Sequence, residues 1–184
     1  MLNYLKLMLQ LILAPTQGWD DVAAAAPDPR RELLFGLVPL CLLAGLSVVA
    51  SVYWQHNVSV SSLIVSGVVC FAVYMLTYFI AQALLTSLLP RITDDGLVDR
   101  GRVMLFAQFC VGQMAVFGMI ENLLPAEVAP IVQFLPLFVV VVMYRARAFL
   151  GVDKTKSGLM LAFGIVAVIL PVYVIGSIFA PMAG

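Results

Sequence analysis

Apolar residues along this chain fall into five long stretches that contain no Asp, Glu, Lys or Arg. The stretches are residues 33–54, 58–90, 103–120, 128–144 and 158–180. A helix needs about 20 predominantly apolar residues to cross the hydrocarbon core of a bilayer, which is about 30 Å thick. The pattern therefore predicts an all-α integral membrane protein with five transmembrane helices.

The second stretch is longer than one crossing requires. At about 1.5 Å per residue, a helix over residues 58–90 would extend well beyond the hydrocarbon core. These residues could form one long tilted helix, or a re-entrant segment followed by a helix. Two full crossings would reverse every later span, and the distribution of positive charge argues against them.

That distribution separates the connections between the stretches into two classes. Basic residues occur before the first stretch, between the second and third, and between the fourth and fifth: Lys6, Arg30, Arg31, Arg91, Arg100, Arg102, Arg145, Arg147, Lys154 and Lys156. The other connections and the tail after Ala180 contain none. Because cytoplasmic loops collect Lys and Arg, we expect a cytoplasmic N-terminus and an external C-terminus.

Residues 1–29 form an N-terminal region ahead of a five-span membrane domain at residues 30–184. Asn3, Lys6 and Gln10 recur at helical spacing among apolar residues. This narrow polar face predicts an amphipathic helix that lies in the membrane interface. Cleavage as a signal peptide would place basic residues on the wrong side of the first span, so we expect this helix to be retained.

Pro15 should end the first helix, because its ring removes a hydrogen-bond donor and clashes with the preceding turn. A second short helix would then run to Ala26. We expect four residues of this region to anchor the chain at the interface, the aromatic one by its amphipathic ring and the basic ones by their charge. These interfacial anchors are Lys6, Trp19, Arg30 and Arg31.

The composition leaves no room for a soluble domain and offers few groups for chemistry. Only 11 % of the residues are charged, against roughly 25 % in soluble domains. The spacing of Cys41, Cys70 and Cys110 suits neither a zinc site nor a redox pair. His56 is the only histidine, and no span has a central ionisable residue. We therefore predict no catalytic residue, cofactor or metal site, and no nucleic-acid partner.

The polar residues inside the stretches admit two interpretations. The set is Gln82, Gln108, Gln113 and Gln133, with Tyr74 and Tyr78 on one helical face. Glutamines in hydrocarbon form hydrogen bonds between helices, which would make this set part of the packing. Alternatively, the same residues could line a polar cavity or a narrow pathway.

The order of these features resembles the Yip1 family in its short bacterial form. The features are Pro15-x-x-x-Trp19, Leu37-Val38-Pro39-Leu40, the long second stretch ending at Pro90, Gly96, Leu124-Pro125, Tyr144 and the 151–156 segment. The resemblance implies five spans and a cytoplasmic N-terminus. Eukaryotic relatives, which have a longer cytoplasmic N-terminal region, are associated with vesicle traffic and Rab GTPases. The resemblance supplies no catalytic residues.

Two functions follow as expectations. The first is a non-enzymatic polytopic membrane protein of Yip1 type that organises membrane–lipid or membrane–protein interactions. It would sit in the bacterial cytoplasmic (inner) membrane and contact the lipid bilayer, anionic headgroups, and further copies of itself or other membrane proteins. The alternative is a small channel or carrier for a neutral or lipid-like solute.

Overall fold

The structure, a computed structural model, describes residues 1–53, 59–93, 98–125, 128 and 134–183. The regular elements of this described part are helices, without a β-strand. They are α1 (Leu2–Leu13), α2 (Pro15–Ala25), α3 (Pro29–Ala50), α4 (Val60–Arg91), α5 (Arg100–Leu123), α6 (Pro136–Arg145) and α7 (Lys154–Phe179, with the helix continuing to Ala183). The prediction of an all-α protein is confirmed.

Four helices of the described part are long and apolar enough to cross a membrane, namely α3, α4, α5 and α7. The predicted stretch at residues 128–144 contains α6, whose 10 residues would extend only about 15 Å. Residues 129–133 of that stretch lie outside the described part. The count of five spans therefore stays a prediction.

The long second stretch forms one continuous helix. Its α-helical part runs over Val60–Leu88 and ends in a 3-10 turn at Leu89–Arg91. At 1.5 Å per residue, the 29 residues of the α-helical part extend about 43 Å. This length exceeds a hydrocarbon core of about 30 Å, so a crossing by α4 requires tilt or protrusion from the core.

α3 and α7 each widen into a π-helical turn two residues before a proline. The turn in α3 is Leu33–Leu37, ahead of Pro39, and the turn in α7 is Ile165–Ile169, ahead of Pro171. A proline ring inside a helix clashes with the carbonyl four residues earlier, which is the middle residue of each π-turn. The wider turn makes room for the ring, so both helices continue past the proline.

α3 and α4 approach each other at two glycines. An ideal Cβ atom on Gly45 would lie 2.6 Å from the carbonyl oxygen of Gly67, and one on Gly67 would lie 2.9 Å from the oxygen of Gly45. Real Cβ atoms do not come that close to a carbonyl oxygen. The backbones of the two helices can meet here only because both residues lack a side chain.

α5 is the central helix of the bundle. Every residue from 105 to 115 is buried, and α5 contacts α3, α4 and α6 as well as the N-terminal helix α1. At its far end, Asn122 Nδ2 donates a hydrogen bond of 2.9 Å to Ser47 Oγ of α3. The side chains of α5 therefore decide how the surrounding helices are held together.

Candidate functional site

The N-terminal helix α1 is docked on the bundle through one apolar face. Tyr4, Leu7, Met8 and Leu11 are buried, and their spacing of three and four residues places them on one side of the helix. Close to its end, α1 crosses α2 at Gly18, where an ideal Cβ would lie 2.8 Å from Leu11 Cα. The two short helices thus form a packed pair.

Tyr4 is the main contact of α1 with α5. Its hydroxyl donates a hydrogen bond of 2.8 Å to the backbone carbonyl of Gln108, and its ring stacks on Phe109 with centroids 5.0 Å apart. The ring fits because Gly36 and Gly112 stand against it, where a Cβ atom would overlap the tyrosine. Burial raises the pKa of the Tyr4 phenol well above its ordinary value, so the hydroxyl stays protonated and keeps its role as a donor.

Trp19 fastens α2 to the same region. Its Nε1 donates a hydrogen bond of 2.9 Å to the carbonyl of Val142 in α6. Its ring stacks on Phe149 at 4.8 Å and on Phe106 at 5.8 Å, and meets Phe109 edge-on at 6.2 Å. Only 2 % of Trp19 is exposed. The prediction that Trp19 contacts lipid headgroups is therefore wrong in this structure. The indole lies inside the bundle, where its N–H has a hydrogen-bond partner.

Arg102 covers the outer side of this aromatic cluster. Its Nη1 donates a hydrogen bond of 3.0 Å to the carbonyl of Phe149, and its guanidinium carbon lies 5.7 Å from the centre of the Phe149 ring. Its Nε lies 3.7 Å from Asp99 Oδ2. Since both charged side chains are about half exposed or more, the contact with Phe149 is the more important one for holding this end of the bundle.

Gln108 joins three further elements from the centre of α5. Its Nε2 donates to the carbonyl of Pro29 at 2.8 Å and lies 3.4 Å from the hydroxyl of Tyr78. The start of α3, the middle of α4 and helix α1 are therefore bonded to the same residue of α5. This is the interhelical role that glutamines commonly have in membrane proteins.

The predicted polar set is brought together only in part. Gln108, Gln113, Tyr74 and Tyr78 are buried, whereas Gln82 is half-buried. Gln133 lies outside the described residues.

Part of this interior has no hydrogen-bond partner among the residues that the structure describes. The unpaired atoms are Gln108 Oε1, both polar atoms of the Gln113 amide, and Thr77 Oγ1. Thr77 lies between Tyr74 and Tyr78 on the buried face of α4. An unpaired buried polar group costs about 1–3 kcal/mol. Gln113 is therefore the least satisfied side chain of this interior.

α1 also has a second apolar edge that faces away from the bundle. Leu2, Leu9 and Leu13 are 86 %, 54 % and 82 % exposed, and their spacing places them on one side, roughly opposite the buried face. The polar residues Asn3 and Lys6, both exposed, lie between the two apolar faces. A docked helix with this second edge is the candidate functional surface of the chain.

The remaining predicted anchors are exposed basic side chains. Arg30 and Arg31 are exposed at the start of α3, like Lys6 of α1. Asp28 caps α3 by accepting a hydrogen bond of 3.1 Å from the backbone N–H of Arg30. The cap determines the residue at which α3 begins, and so it determines the positions of Arg30 and Arg31 at that end of the helix.

Sequence reasoning did not assign Tyr4 a role in this site. The signal for Tyr4 was present, since Tyr4, Leu7, Met8 and Leu11 have the spacing of one helical face. An apolar face, however, does not reveal whether protein or lipid covers it.

Neither a metal site nor a known relative identifies the chain. Within the described part, no group of three or more His, Cys, Asp and Glu side chains could hold a metal ion. The chain matches no family model, and no curated protein or solved structure matches it.

Proposed function

We propose that this chain is a non-enzymatic, multi-pass membrane protein that organises lipids or other membrane proteins at the cytoplasmic surface. The observation that carries the proposal is the exposed leucine edge of α1, on a helix held against the bundle by Tyr4. A helix with apolar and polar faces side by side is suited to the interface between headgroups and acyl chains. α1 would lie there as a fixed platform.

The positions of the basic segments support this placement. The starts of α3 and α5 lie side by side, since an ideal Cβ atom on Gly101 would lie 3.5 Å from Pro29 Cγ, and the bond from Arg102 to Phe149 joins α5 to the connection that follows α6. Thr93 pairs with Val152 in an isolated β-bridge. This clustering of the basic segments at one end of the bundle supports a cytoplasmic position for that end.

The five-span topology, the Yip1-type assignment and the location in a bacterial cytoplasmic membrane belong to the same proposal. Four span-length helices and the additional helix α6 support it, together with the ordered features of the sequence. The basic end of the bundle would face the cytoplasm, and α1 and α2 would lie on that side.

A photo-crosslinking residue on α1 tests the proposal. A diazirine analogue of leucine at Leu9, activated in native membranes, should form adducts with lipids or with other membrane proteins, because Leu9 points away from the bundle. The same residue at Leu11, which is fully buried, should give only products within the chain. Mass spectrometry of the adducts distinguishes the two. If Leu9 gives no adduct with lipid or another protein, α1 is not such a platform.

The second candidate function is a narrow pathway for a neutral or lipid-like solute. The observation in its favour is the Gln113 amide, whose two polar atoms are buried without a partner among the described residues. In a pathway, water or a solute would form the missing hydrogen bonds. π-helical turns, such as the one in α7, also occur often at functional sites.

Gln113→Leu distinguishes this pathway from packing. If Gln113 lines a pathway, the substitution should lower the flux of a small neutral solute such as glycerol into proteoliposomes at least severalfold. The half-buried Gln82 offers a matched control, and Gln82→Leu should leave the flux unchanged. Unchanged flux in Gln113→Leu, with a gain in stability of about 1–3 kcal/mol from removing unpaired polar atoms, would reject the pathway.

A further inference from the structure

A cavity opens between the beginning of α1, the end of α2 and the beginning of α3. Its volume is about 610 Å³, which is within the range of roughly 300–1,000 Å³ for small-molecule sites. The polar side chains that line it are Asn3, Asp28, Arg31 and Glu32, and Phe35 and Met1 add apolar surface. The cavity thus brings opposite charges and an aromatic ring together at the start of a membrane-length helix.

Glu32 is the unusual member of this lining. The residue is only 8 % exposed, and its carboxylate has no ion pair or hydrogen bond with any residue that the structure describes. Glu32 lines the cavity, and its carboxylate oxygens are not among the buried, unpaired polar atoms of the described residues, so they open onto the cavity. An occupant of the cavity can therefore bind this carboxylate directly.

Arg31 supplies the complementary charge on the same cavity. Its side chain is exposed and lies farther than ion-pair distance from both Asp28 and Glu32. The carboxylate of Asp28 is engaged as the helix cap of α3. A positive and a negative group therefore share one cavity without neutralising each other, which fits a ligand that carries both charges.

The apolar surface beside the cavity favours a lipid over a free zwitterion. Phe35 lies one turn further along α3 and is 62 % exposed, and its neighbour Leu34 is 60 % exposed. This surface continues along α3 away from the charged end, with Leu42 and Leu46 also exposed. An acyl chain could follow it while the headgroup stays in the cavity.

We propose that this cavity binds the headgroup of a zwitterionic phospholipid with a primary ammonium group, of the phosphatidylethanolamine type. The ammonium would donate hydrogen bonds to Glu32, and the phosphate would accept them from Arg31. A purely anionic headgroup would leave Glu32 unpaired, and a fully methylated ammonium has no N–H to donate. The inference rests on the interfacial placement of α1 and α3 in the proposed function and names the lipid.

A methylation series tests the proposal on the unaltered protein. Native mass spectrometry from nanodiscs should show retention of phosphatidylethanolamine about tenfold above phosphatidylcholine, since a charge-assisted hydrogen bond is worth about a factor of ten in affinity. The mono- and dimethylated lipids should fall between them. Equal retention across the series would overturn the proposal without requiring any variant to fold.

Single substitutions then test which ligand group each charged side chain binds. Glu32→Gln should remove the preference for phosphatidylethanolamine over phosphatidylcholine, and Arg31→Gln should weaken the retention of both lipids. Asp21→Asn and Arg30→Gln, at exposed residues that do not line the cavity, are the matched controls and should keep the preference. A preference that persists in Glu32→Gln would show that the ammonium does not bind there.

A soluble competitor distinguishes a membrane lipid from a free zwitterion as the ligand of the cavity. Glycerophosphoethanolamine at millimolar concentration should fail to displace the lipid, because it lacks the chains that would lie along α3. Complete displacement would identify a soluble zwitterion as the ligand and overturn the lipid assignment. Lipid or protein adducts at Leu9 without a headgroup preference would refute this site and leave the proposed function standing.

Discussion

Replacing Trp19 with alanine should detach α2 from the bundle and lower the free energy of unfolding by about 3–5 kcal/mol, the usual cost of truncating a buried tryptophan. The indole is enclosed by three phenylalanine rings and donates to the carbonyl of Val142. All of these contacts are lost together. Unfolding in mixed detergent micelles gives the energy, and limited proteolysis should show faster cleavage between α2 and α3.

Two further variants show which contact of Trp19 accounts for the loss of stability. Trp19→Phe keeps an aromatic ring and removes the Nε1 donor, so it should cost about 0.5–1.5 kcal/mol for the lost hydrogen bond, because the carbonyl of Val142 still accepts from the backbone N–H of Ala146. Gln17→Ala changes an exposed residue of the same helix and should stay within about 0.5 kcal/mol of the wild type. A Trp19→Ala variant as stable as Gln17→Ala would contradict the docking of α2.

Gly45→Ala should destabilise the α3–α4 pair by about 1–3 kcal/mol, the usual cost of overpacking. The added methyl group would meet the backbone oxygen of Gly67, which cannot rotate away as a side chain could. The two helices must move apart, and their close contact over this segment is lost. Unfolding in micelles, with crosslinking between cysteines placed on the two helices, measures both effects.

Gly176→Ala is the matched control for that substitution. No described residue lies within 4 Å of a Cβ atom built on Gly176, so alanine there adds only its higher helix propensity, about 1 kcal/mol in favour of the helix. The difference between the two variants isolates the contact between α3 and α4. If Gly45→Ala proved as stable as Gly176→Ala, the two backbones would not be in contact.

The sequence predicted the long helices because each depends on the average polarity of a long segment. The predicted stretches at residues 58–90 and 103–120 correspond to α4 and α5 within a few residues. Pro39 and Pro171 do not interrupt α3 and α7, because π-helical turns accommodate both proline rings. The stretch at residues 128–144 is different, since Pro136 begins a new helix there rather than lying within one.

The docking of the N-terminal helices could not be predicted in the same way. Tyr4 bonds to a residue 104 positions away, and Trp19 to one 123 positions away. Such pairings depend on where glycines leave room, as Gly36 and Gly112 do for Tyr4. The spacing of residues along the chain does not show which glycines will face an aromatic ring in the folded protein. Sequence reasoning therefore assigned the aromatic residue of α2 to lipid, whereas the protein itself surrounds it.

The position of α5 at the centre of the bundle has a consequence for how the chain is made. Of the four membrane-length helices, α5 has the lowest mean hydropathy, and it contains Gln108 and Gln113. A ribosome delivers α5 after the α3–α4 pair and before α6 and α7. When α5 is made, α6 and α7, which also contact it, do not yet exist. If α5 crosses a membrane, the helices that precede it must pair with its glutamines first, and a poorly formed α3–α4 pair should slow its insertion.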